Sequence, residues 1–427
     1  MHGDATKRCG NRYGFDALNR QTQPEPAAPT YWRMTRATHH VRIELGRESH
    51  LRVGAPDAGM VGYTKRPCPG VAGEDRQEKD VKLSHELFGT MPDGTPVQLY
   101  SVSNQAGVEM KLSALGATIT ELIAPDRLGR KANIVLGFSS LADYIAPHPH
   151  FGCMVGRVAN RIARAQFKLS GKTYRLEANN GPHCLHGGNA GLGLKLWQAK
   201  PIEVEGQMGV EFSYHSPAGE GGFPASAEFS AIYTLDEQGV IRLEMLAAVD
   251  APTPINLTNH TYFNLSGAGS TDILGHELMI DADFYTPTDA TLIPTGEIRS
   301  VAGTPLDFRT SRAVGRDIAA VSPGYDHNYV LTSETDSRGL RPAATVCDPK
   351  SHRTLRVCTT QPGVQLYTGN FLDGSVSGIG GRYLKHGGLC LETQHFPDSV
   401  HHAHFPSTIV RPSEPYRHII EYHLGCD

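Results

Sequence analysis

Alternation between apolar and polar residues is the dominant pattern in most of this chain. Apolar side chains occupy every second position over 227–235 and again over 241–245, on either side of the polar segment 236–239. Since successive side chains of a strand point to opposite faces of a sheet, this period of two predicts two half-buried strands. The segment between them, Asp-Glu-Gln-Gly, is typical of a turn, so the region is predicted to be a long β-hairpin.

Shorter segments repeat this pattern from about Leu87 onward. A second hairpin is predicted over 166–176, because Ser170-Gly171 separates two alternating runs and such dipeptides favour two-residue turns. The chain has no βαβ rhythm, no heptads and none of the glycine-rich loops that bind nucleotides. Many short strands over such a length predict an all-β fold, a large antiparallel β-sandwich. Other alternating runs are 97–103, 108–112 and 118–123.

Residues 1–80 lack this periodicity. Their polar stretches are punctuated by proline, and only 41–53 alternates, weakly, as a strand would. We therefore predict an N-terminal extension without a core of its own over 1–83, followed by one sandwich domain over 84–427. An alternative is an over-extended gene start, since further initiators occur at Met34, Met60 and Met91.

Composition and charge narrow the function classes. The 46 glycines and 28 prolines are too many for a helical bundle and too few for a fibrous or disordered chain. Lys and Arg total 40 against 44 Asp and Glu, a formal net charge of −4, which gives no reason to expect a nucleic-acid partner. Residues 1–80 hold 13 basic and 10 acidic side chains, so the remainder of the chain carries the acidic excess.

The sequence also predicts a soluble, cytoplasmic protein. No apolar window of about 18 residues exists, and the N-terminus lacks the apolar core of a secretory signal, so no membrane association is expected. The eight cysteines include no C-x-x-C pair, which excludes zinc-ribbon and thioredoxin-type sites and favours buried or incidental thiols in a reducing compartment.

Five polar loops concentrate charged and hydrogen-bonding side chains among turn residues. Because the chain has 21 histidines, a histidine near a glycine is expected by chance, and each loop alone is weak evidence of a site. Glu392 follows the apolar run 389–391, where it is either an edge residue facing water or a buried general base with a raised pKa. Without context the surface position is favoured. The loops are 156–162, 179–188, 256–265, 326–328 and 391–398.

Taken together and in this order, the loops resemble the aldose 1-epimerase (galactose mutarotase) family. The resemblance covers roughly residues 85–425 and leaves 1–80 without a counterpart. The matching motifs are GRVANRI at 156–162, NGP and LHGG within 180–188, NLTNH and YFNL within 256–265, DHN at 326–328, QPGVQLYTGNFLDG at 361–374 and LETQ at 391–394.

The resemblance implies a single large β-sandwich and an isomerase that interconverts the α and β anomers of free hexoses such as galactose and glucose. It assigns Glu392 as the general base and His260 as the general acid. No metal ion or organic cofactor is implied, the partner is a small free aldohexose, and the protein is expected to be a monomer or homodimer. The residues that it places in the sugar pocket are Asn160, Arg161, His186, Asp326 and Gln365.

The chemistry of this reaction suits those residue types. A proton leaves the C1 hydroxyl while another reaches the ring oxygen, and after rotation about the C1–C2 bond closure reverses both transfers. Glu392 is therefore expected to be ionised and His260 protonated in the resting site, with the carboxylate raising the pKa of the histidine. Arg161 and His186 would stabilise negative charge on sugar oxygens, and Asp326 would accept from hydroxyls.

Two segments depart from the family pattern. His395-Phe396 stands where the family usually has Asn-Trp, and His183-Cys184 stands where it usually has Asn-Ser. Loss of the indole is expected to alter a wall of the site, although Phe396 keeps an aromatic face. Neither change removes a proposed proton carrier, so both bear on sugar preference more than on activity.

Other functions remain as alternatives. A non-catalytic sugar-binding or sensor protein would lack Glu392 or His260, and a hexose-6-phosphate epimerase would add basic residues around the C6 end of the sugar. A glycoside hydrolase would need a second acid about 5–10 Å from Glu392, for which Asp326 is the candidate. Metal sites on the histidine clusters 148–150 or 401–404 lack further ligands at suitable spacing, so both clusters are predicted to be surface loops.

Overall fold

The computed structural model describes residues 34–37, 40–43, 81–204, 207–270 and 272–426. The chain separates into two compact units, 1–74 and 75–427. In the first unit the described residues form an antiparallel hairpin of strands Met34–Ala37 and His40–Ile43. The second strand overlaps the start of the weakly alternating run 41–53. The rest of that run, and most of the predicted extension, lie outside the described residues.

Unit 75–427 consists mainly of antiparallel strands in three sheets, as the alternation predicts. The five-stranded sheet follows chain order: Lys82–Thr90, Pro96–Ser103, Glu109–Ser113, Thr118–Pro125 and Lys131–Asn133. The nine-stranded sheet has the spatial order Gln198–Val204, Gln207–Ser216, Ala227–Leu235, Val240–Val249, Tyr416–Cys426, Arg353–Thr359, Arg341–Cys347, Glu277–Ile280 and Arg312–Ala313. The six-stranded sheet has the order Tyr262–Phe263, Leu389–Gln394, Gly363–Tyr367, Asp326–Val330, Phe284–Thr286 and Arg299–Ser300.

Short ribbons and helical turns connect these sheets. The two-stranded ribbons pair Gln166–Leu169 with Lys172–Arg175, Arg161–Ile162 with Cys184–Leu185, Thr253–Pro254 with Ile409–Val410, Met154–Val155 with Thr258–Asn259, and Ser377–Gly378 with Gly381–Arg382. One α-helix, Leu141–Ile145, is present in the described part of the chain. Single 3-10 turns occur at Ala163–Ala165, Gly188–Ala190, Leu192–Leu194, Glu220–Gly222, Ile318–Ala320 and Ser399–His401. No helix among the described residues has the length and apolarity needed to cross a bilayer.

The predicted hairpins are confirmed, and they show how the core forms. In the long hairpin Ala231 pairs with Met245 and Tyr233 with Leu243, and all four side chains are fully buried. Burying a large apolar side chain contributes about 1.5–3 kcal/mol. Such faces from all three sheets join in one continuous apolar core, so the all-β sandwich fold is confirmed.

The strand Leu389–Gln394 lies inside the six-stranded sheet and not at its edge. It pairs with Gly363–Tyr367 on one side and Tyr262–Phe263 on the other. Both of its faces are buried, which explains the apolar run 389–391, while Glu392 and the two polar residues after it are buried as well. Glu392 is therefore a buried carboxylate, and the surface position favoured by the sequence is wrong.

Candidate active site

Six of the seven predicted site residues meet in one pocket, which Glu392 and Asp326 enter from strands of the six-stranded sheet. Gln365 is not among the lining residues, but it is buried directly opposite Glu392 on the neighbouring antiparallel strand, so its side chain lies on the same face of the sheet, beside the pocket. The pocket is lined by Pro149, His150, Asn160, Arg161, Leu185, His186, His260, Tyr262, Asp326, Tyr367, Phe371 and Glu392.

Glu392 and His260 face each other across this pocket. Oε1 of Glu392 lies 3.7 Å from Nε2 of His260, and both side chains are almost fully buried. The backbone of His260 is held on both sides, since its N–H donates to Cys153 and its carbonyl accepts from Gly152. The imidazole also stacks on Tyr262, with ring centroids 5.0 Å apart. This arrangement places an acid and a base at a separation that one sugar oxygen or water can bridge.

The charge state of this pair differs from the sequence-based expectation. Burial raises the pKa of Glu392 well above its usual value, nearby Asp326 raises it further, and Arg161 opposes the change. Burial lowers the pKa of His260 to about 3, and the neighbouring imidazole of His150 contributes in the same direction. Desolvation of both groups thus outweighs their mutual attraction. In the sugar-free pocket the neutral pair, with one proton on Glu392, is favoured over the ion pair.

Arg161 and Asp326 form the charged side of the pocket. Nη1 of Arg161 lies 3.8 Å from Oδ2 of Asp326, and its Nε donates to Oδ1 of Asn180 at 3.1 Å. The other carboxylate oxygen of Asp326 accepts a 2.6 Å hydrogen bond from Nε2 of Gln365. These contacts hold a cation and an anion side by side, where both can address sugar hydroxyls.

His186 is held in one tautomer by its neighbour across a two-stranded ribbon. The backbone N–H of Asn160 donates to Nδ1 of His186 at 3.2 Å, and the backbone N–H of His186 donates to the carbonyl of Asn160. Burial lowers the pKa of His186 well below its usual value, and the neighbouring His150, His260 and Arg161 act in the same direction, so the ring is neutral. The neutral ring with an occupied Nδ1 must carry its proton on Nε2. His186 is therefore a hydrogen-bond donor.

Three residues of the pocket have left-handed backbone conformations. His150, Asn160 and His186 have φ values of 60°, 61° and 55°. Such conformations are uncommon for residues other than glycine and cost of order 1–3 kcal/mol each when they are strained. The surrounding hydrogen bonds maintain them, and they turn all three side chains toward the same space.

Three side chains of the pocket lie close enough together to be considered as metal ligands. His186, His260 and Glu392 each present a possible ligand atom, all within 4.8 Å of one another. A metal ion needs an unprotonated imidazole nitrogen, but Nε2 of His186 carries the proton and Nδ1 accepts from Asn160. The three groups fit a metal poorly and fit sugar hydroxyls well.

The structure adds pocket residues that the sequence did not identify. Tyr262 and Tyr367 are buried aromatic walls, and the largely exposed Phe371 stacks on Tyr367 at the rim. All three lie within motifs that resemble the family, at 262–265 and 361–374, but the motifs alone give these residues no role. His150 also lines the pocket, from a half-buried loop for which the sequence predicted only a surface position.

The residues that depart from the family pattern do not line the pocket. Phe396 packs edge-on against Phe405, and its ring lies close to Gly363 behind the site. His395 accepts or donates a hydrogen bond with Gln361 at 2.7 Å, away from the sugar side. The expectation that Phe396 forms a wall of the site is therefore wrong.

Arg157 shows why charged residues in the first loop need not face water. It is almost fully buried, and its guanidinium donates to Ser216 and to the carbonyls of Pro217, Pro224 and Ala225. It thereby ties the segment before Asn160 and Arg161 to the neighbouring 217–225 loop. Arg157 is therefore a buried structural residue.

Known proteins provide an independent comparison. The chain matches a family model described as aldose 1-epimerase over residues 98–423. It is 44% identical to galactose mutarotase from Sus scrofa over 342 residues, which cover 79% of this chain and 97% of that protein. It is 36% identical to aldose 1-epimerase from Escherichia coli K12 over 347 residues, 80% of this chain and 99% of that protein.

Solved structures agree with these matches. Galactose 1-epimerase from Lactobacillus acidophilus NCFM superposes with a TM-score of 0.71 at 26% identity, over 81% of this chain and 99% of that chain. An aldose epimerase homologue from C. elegans superposes with a TM-score of 0.68 at 31% identity, over 75% of this chain and 97% of that chain.

Proposed function

Because this chain belongs to the aldose 1-epimerase family and is an isomerase, we propose that Glu392 and His260 are the proton carriers in its interconversion of hexose anomers. The observation that carries this proposal is the buried contact of 3.7 Å between their side chains, inside a pocket of sugar-binding groups. The substrates we propose are free hexoses such as galactose and glucose.

The reaction begins with a shift of the proton that the pair already holds. The neutral pair and the ion pair contain the same number of protons, so only a transfer from Glu392 to His260 separates them. Arg161 already favours the charged form of Glu392, and hydrogen bonds from sugar hydroxyls to the carboxylate strengthen that preference. Sugar binding thus produces the base and the acid together.

Glu392 and His260 then carry both proton transfers of ring opening. The Glu392 carboxylate takes the proton of the C1 hydroxyl, the bond between C1 and the ring oxygen breaks, and His260 protonates that oxygen. The aldehyde rotates about C1–C2, and closure reverses both transfers on the other face. His186 donates from Nε2 to oxygens that gain negative charge, and such positioned donors stabilise the transition state.

A free sugar fits this pocket better than a phosphorylated one. Arg161 is the single Lys or Arg among the residues that line the described pocket, and its guanidinium faces Asp326. Recognition of a phosphate group generally uses several cationic or amide donors. Polarimetry with α-D-galactose, glucose and glucose 6-phosphate tests both the activity and this preference, and faster turnover of the phosphate ester would contradict it.

We also propose that the protein is cytoplasmic and acts as a monomer or homodimer. Cys153, Cys184 and Cys390 are buried free thiols, as expected in a reducing compartment. Fluorescence imaging of a tagged full-length chain tests the location, and sedimentation velocity tests the assembly.

A further inference from the structure

We propose that His150 is a third functional imidazole of the sugar site. In its neutral form it hydrogen-bonds a sugar hydroxyl, and in its protonated form it prevents proton transfer to His260. This inference rests on the proposed function, because it assumes that His260 must become charged during turnover.

The first support is position. The ring of His150 lies 4.9 Å from that of His186 and 5.8 Å from that of His260, and His186 and His260 are 5.2 Å apart. The three imidazoles therefore form a triangle around one side of the pocket. Within the described part of the chain, neither ring nitrogen of His150 has a hydrogen-bond partner, so both nitrogens are available to substrate.

The second support is that the loop presents His150 rigidly. His148 anchors the loop, since its ring packs against Phe138, Tyr144 and Phe151 with centroids 5.5–6.0 Å apart. Pro149 then restricts the backbone, and His150 itself adopts a left-handed conformation with its N–H bonded to the carbonyl of His148. An anchored loop with this conformation can hold the imidazole at a fixed place in the wall.

Charge repulsion connects His150 to catalysis. His150 is half-buried, whereas His186 and His260 are buried, so His150 is the most accessible of the three to an incoming proton. A positive charge on His150 would oppose a second charge on His260 at about 6 Å, where low effective dielectric makes repulsion substantial. The productive ion pair would then be disfavoured. The other titratable groups that face His150 from the pocket and its own loop are His148, Arg161, His186, Tyr262, Asp326, Tyr367 and Glu392.

The test compares full-length wild type with His150→Gln and His150→Phe, using polarimetry of α-D-galactose between pH 3 and 8, because burial lowers the pKa of His150 to about 4. We expect the acidic limb of the wild-type rate to follow titration of His150, whereas in both variants it should follow His260, whose pKa is lowered to about 3, and so move to lower pH by about one unit. Gln keeps a hydrogen-bonding group, so its KM at neutral pH should rise less than that of the Phe variant. Phe cannot hydrogen-bond, so its KM should rise about 2- to 12-fold, as expected for one lost hydrogen bond.

The controls distinguish a failure of the His150 proposal from a failure of the proposed function. His215→Gln changes an exposed histidine and should alter neither parameter, and melting temperatures show whether each variant is folded. If the wild type is active and both folded variants keep its KM and its acidic limb, the proposed role of His150 is overturned. A folded wild type without mutarotase activity overturns the proposed function instead.

Discussion

Gln365 donates a hydrogen bond of 2.6 Å to Asp326, from the position directly opposite Glu392 in the sheet. Gln365 thus contacts the sugar-binding side of the pocket without lining it. The bond occupies Oδ1 of Asp326, while Oδ2 remains on the side of Arg161. This relationship makes Gln365 a positioning residue, and it can be tested separately from the proton carriers.

Replacement of Gln365 by Met keeps the side-chain volume but removes the donor. Asp326 would then be a buried carboxylate without its partner, and hydrogen bonds to charged groups contribute about 1.5–3 kcal/mol. We expect KM for galactose to rise about tenfold, with a smaller change in kcat, in steady-state polarimetry. The exposed Gln238, in the turn of the long hairpin, supplies a matched control as Gln238→Met. An unchanged KM in Gln365→Met would show that Asp326 needs no such support.

Glu392→Gln tests the base directly. Because Glu392 is buried and favours its neutral form, an amide of the same shape should leave the fold intact. Catalysed exchange of α-D-galactose should fall by about 10²–10⁴-fold, since proton transfer by a positioned side chain contributes that much. Calorimetric titration should still detect sugar binding. The exposed Glu297→Gln serves as control, and a wild-type rate in Glu392→Gln would exclude Glu392 as the base.

Half-buried neutral histidines away from the pocket should make the fold sensitive to acid. His395 and His418 have ring centroids 5.2 Å apart, and burial lowers their pKa values to about 4 and about 3. Each folded-state pKa is below the unfolded value of about 6.5. The stabilising contribution is therefore complete above pH 6.5 and is lost progressively as pH falls toward the folded values.

The melting temperature should accordingly fall between pH 7 and pH 4.5 in scanning calorimetry. His418→Gln removes one of these titrating groups. The melting temperature of this variant should therefore fall less steeply than that of wild type as pH is lowered, whatever its value at pH 7. Thr360 provides the hydrogen-bond partner that Gln can retain. A wild-type melting temperature that is flat over this range would contradict the prediction.

Removal of residues 1–80 should leave stability and activity unchanged. The first strand of the five-stranded sheet begins at Lys82, and the larger compact unit begins at Asp75. A deletion of 1–80 therefore keeps every strand of the three sheets. A deletion that continues through Thr90 removes the strand paired with Pro96–Ser103 and should lower the melting temperature markedly. A similar loss with the shorter deletion would show that the extension contributes to folding.

The amino-acid sequence by itself determined the class of fold and the identity of most site residues. Strand periodicity is a local property, because side-chain direction alternates along any strand, and so the hairpins at 166–176 and 227–249 were predictable. Short motifs in a shared order likewise identified Glu392, His260 and four further pocket residues. None of these conclusions required knowledge of which strands are neighbours.

Tertiary structure alone decided the environment of those residues. Glu392 is buried in a strand that two distant segments flank, and that burial favours a neutral resting pair over the expected ion pair. Gln365 contacts Asp326 beside the pocket and His150 lines it, because strand neighbours and loop anchoring determine what reaches the pocket. Desolvation and contact depend on groups far apart in the chain, so local pattern could not reveal them.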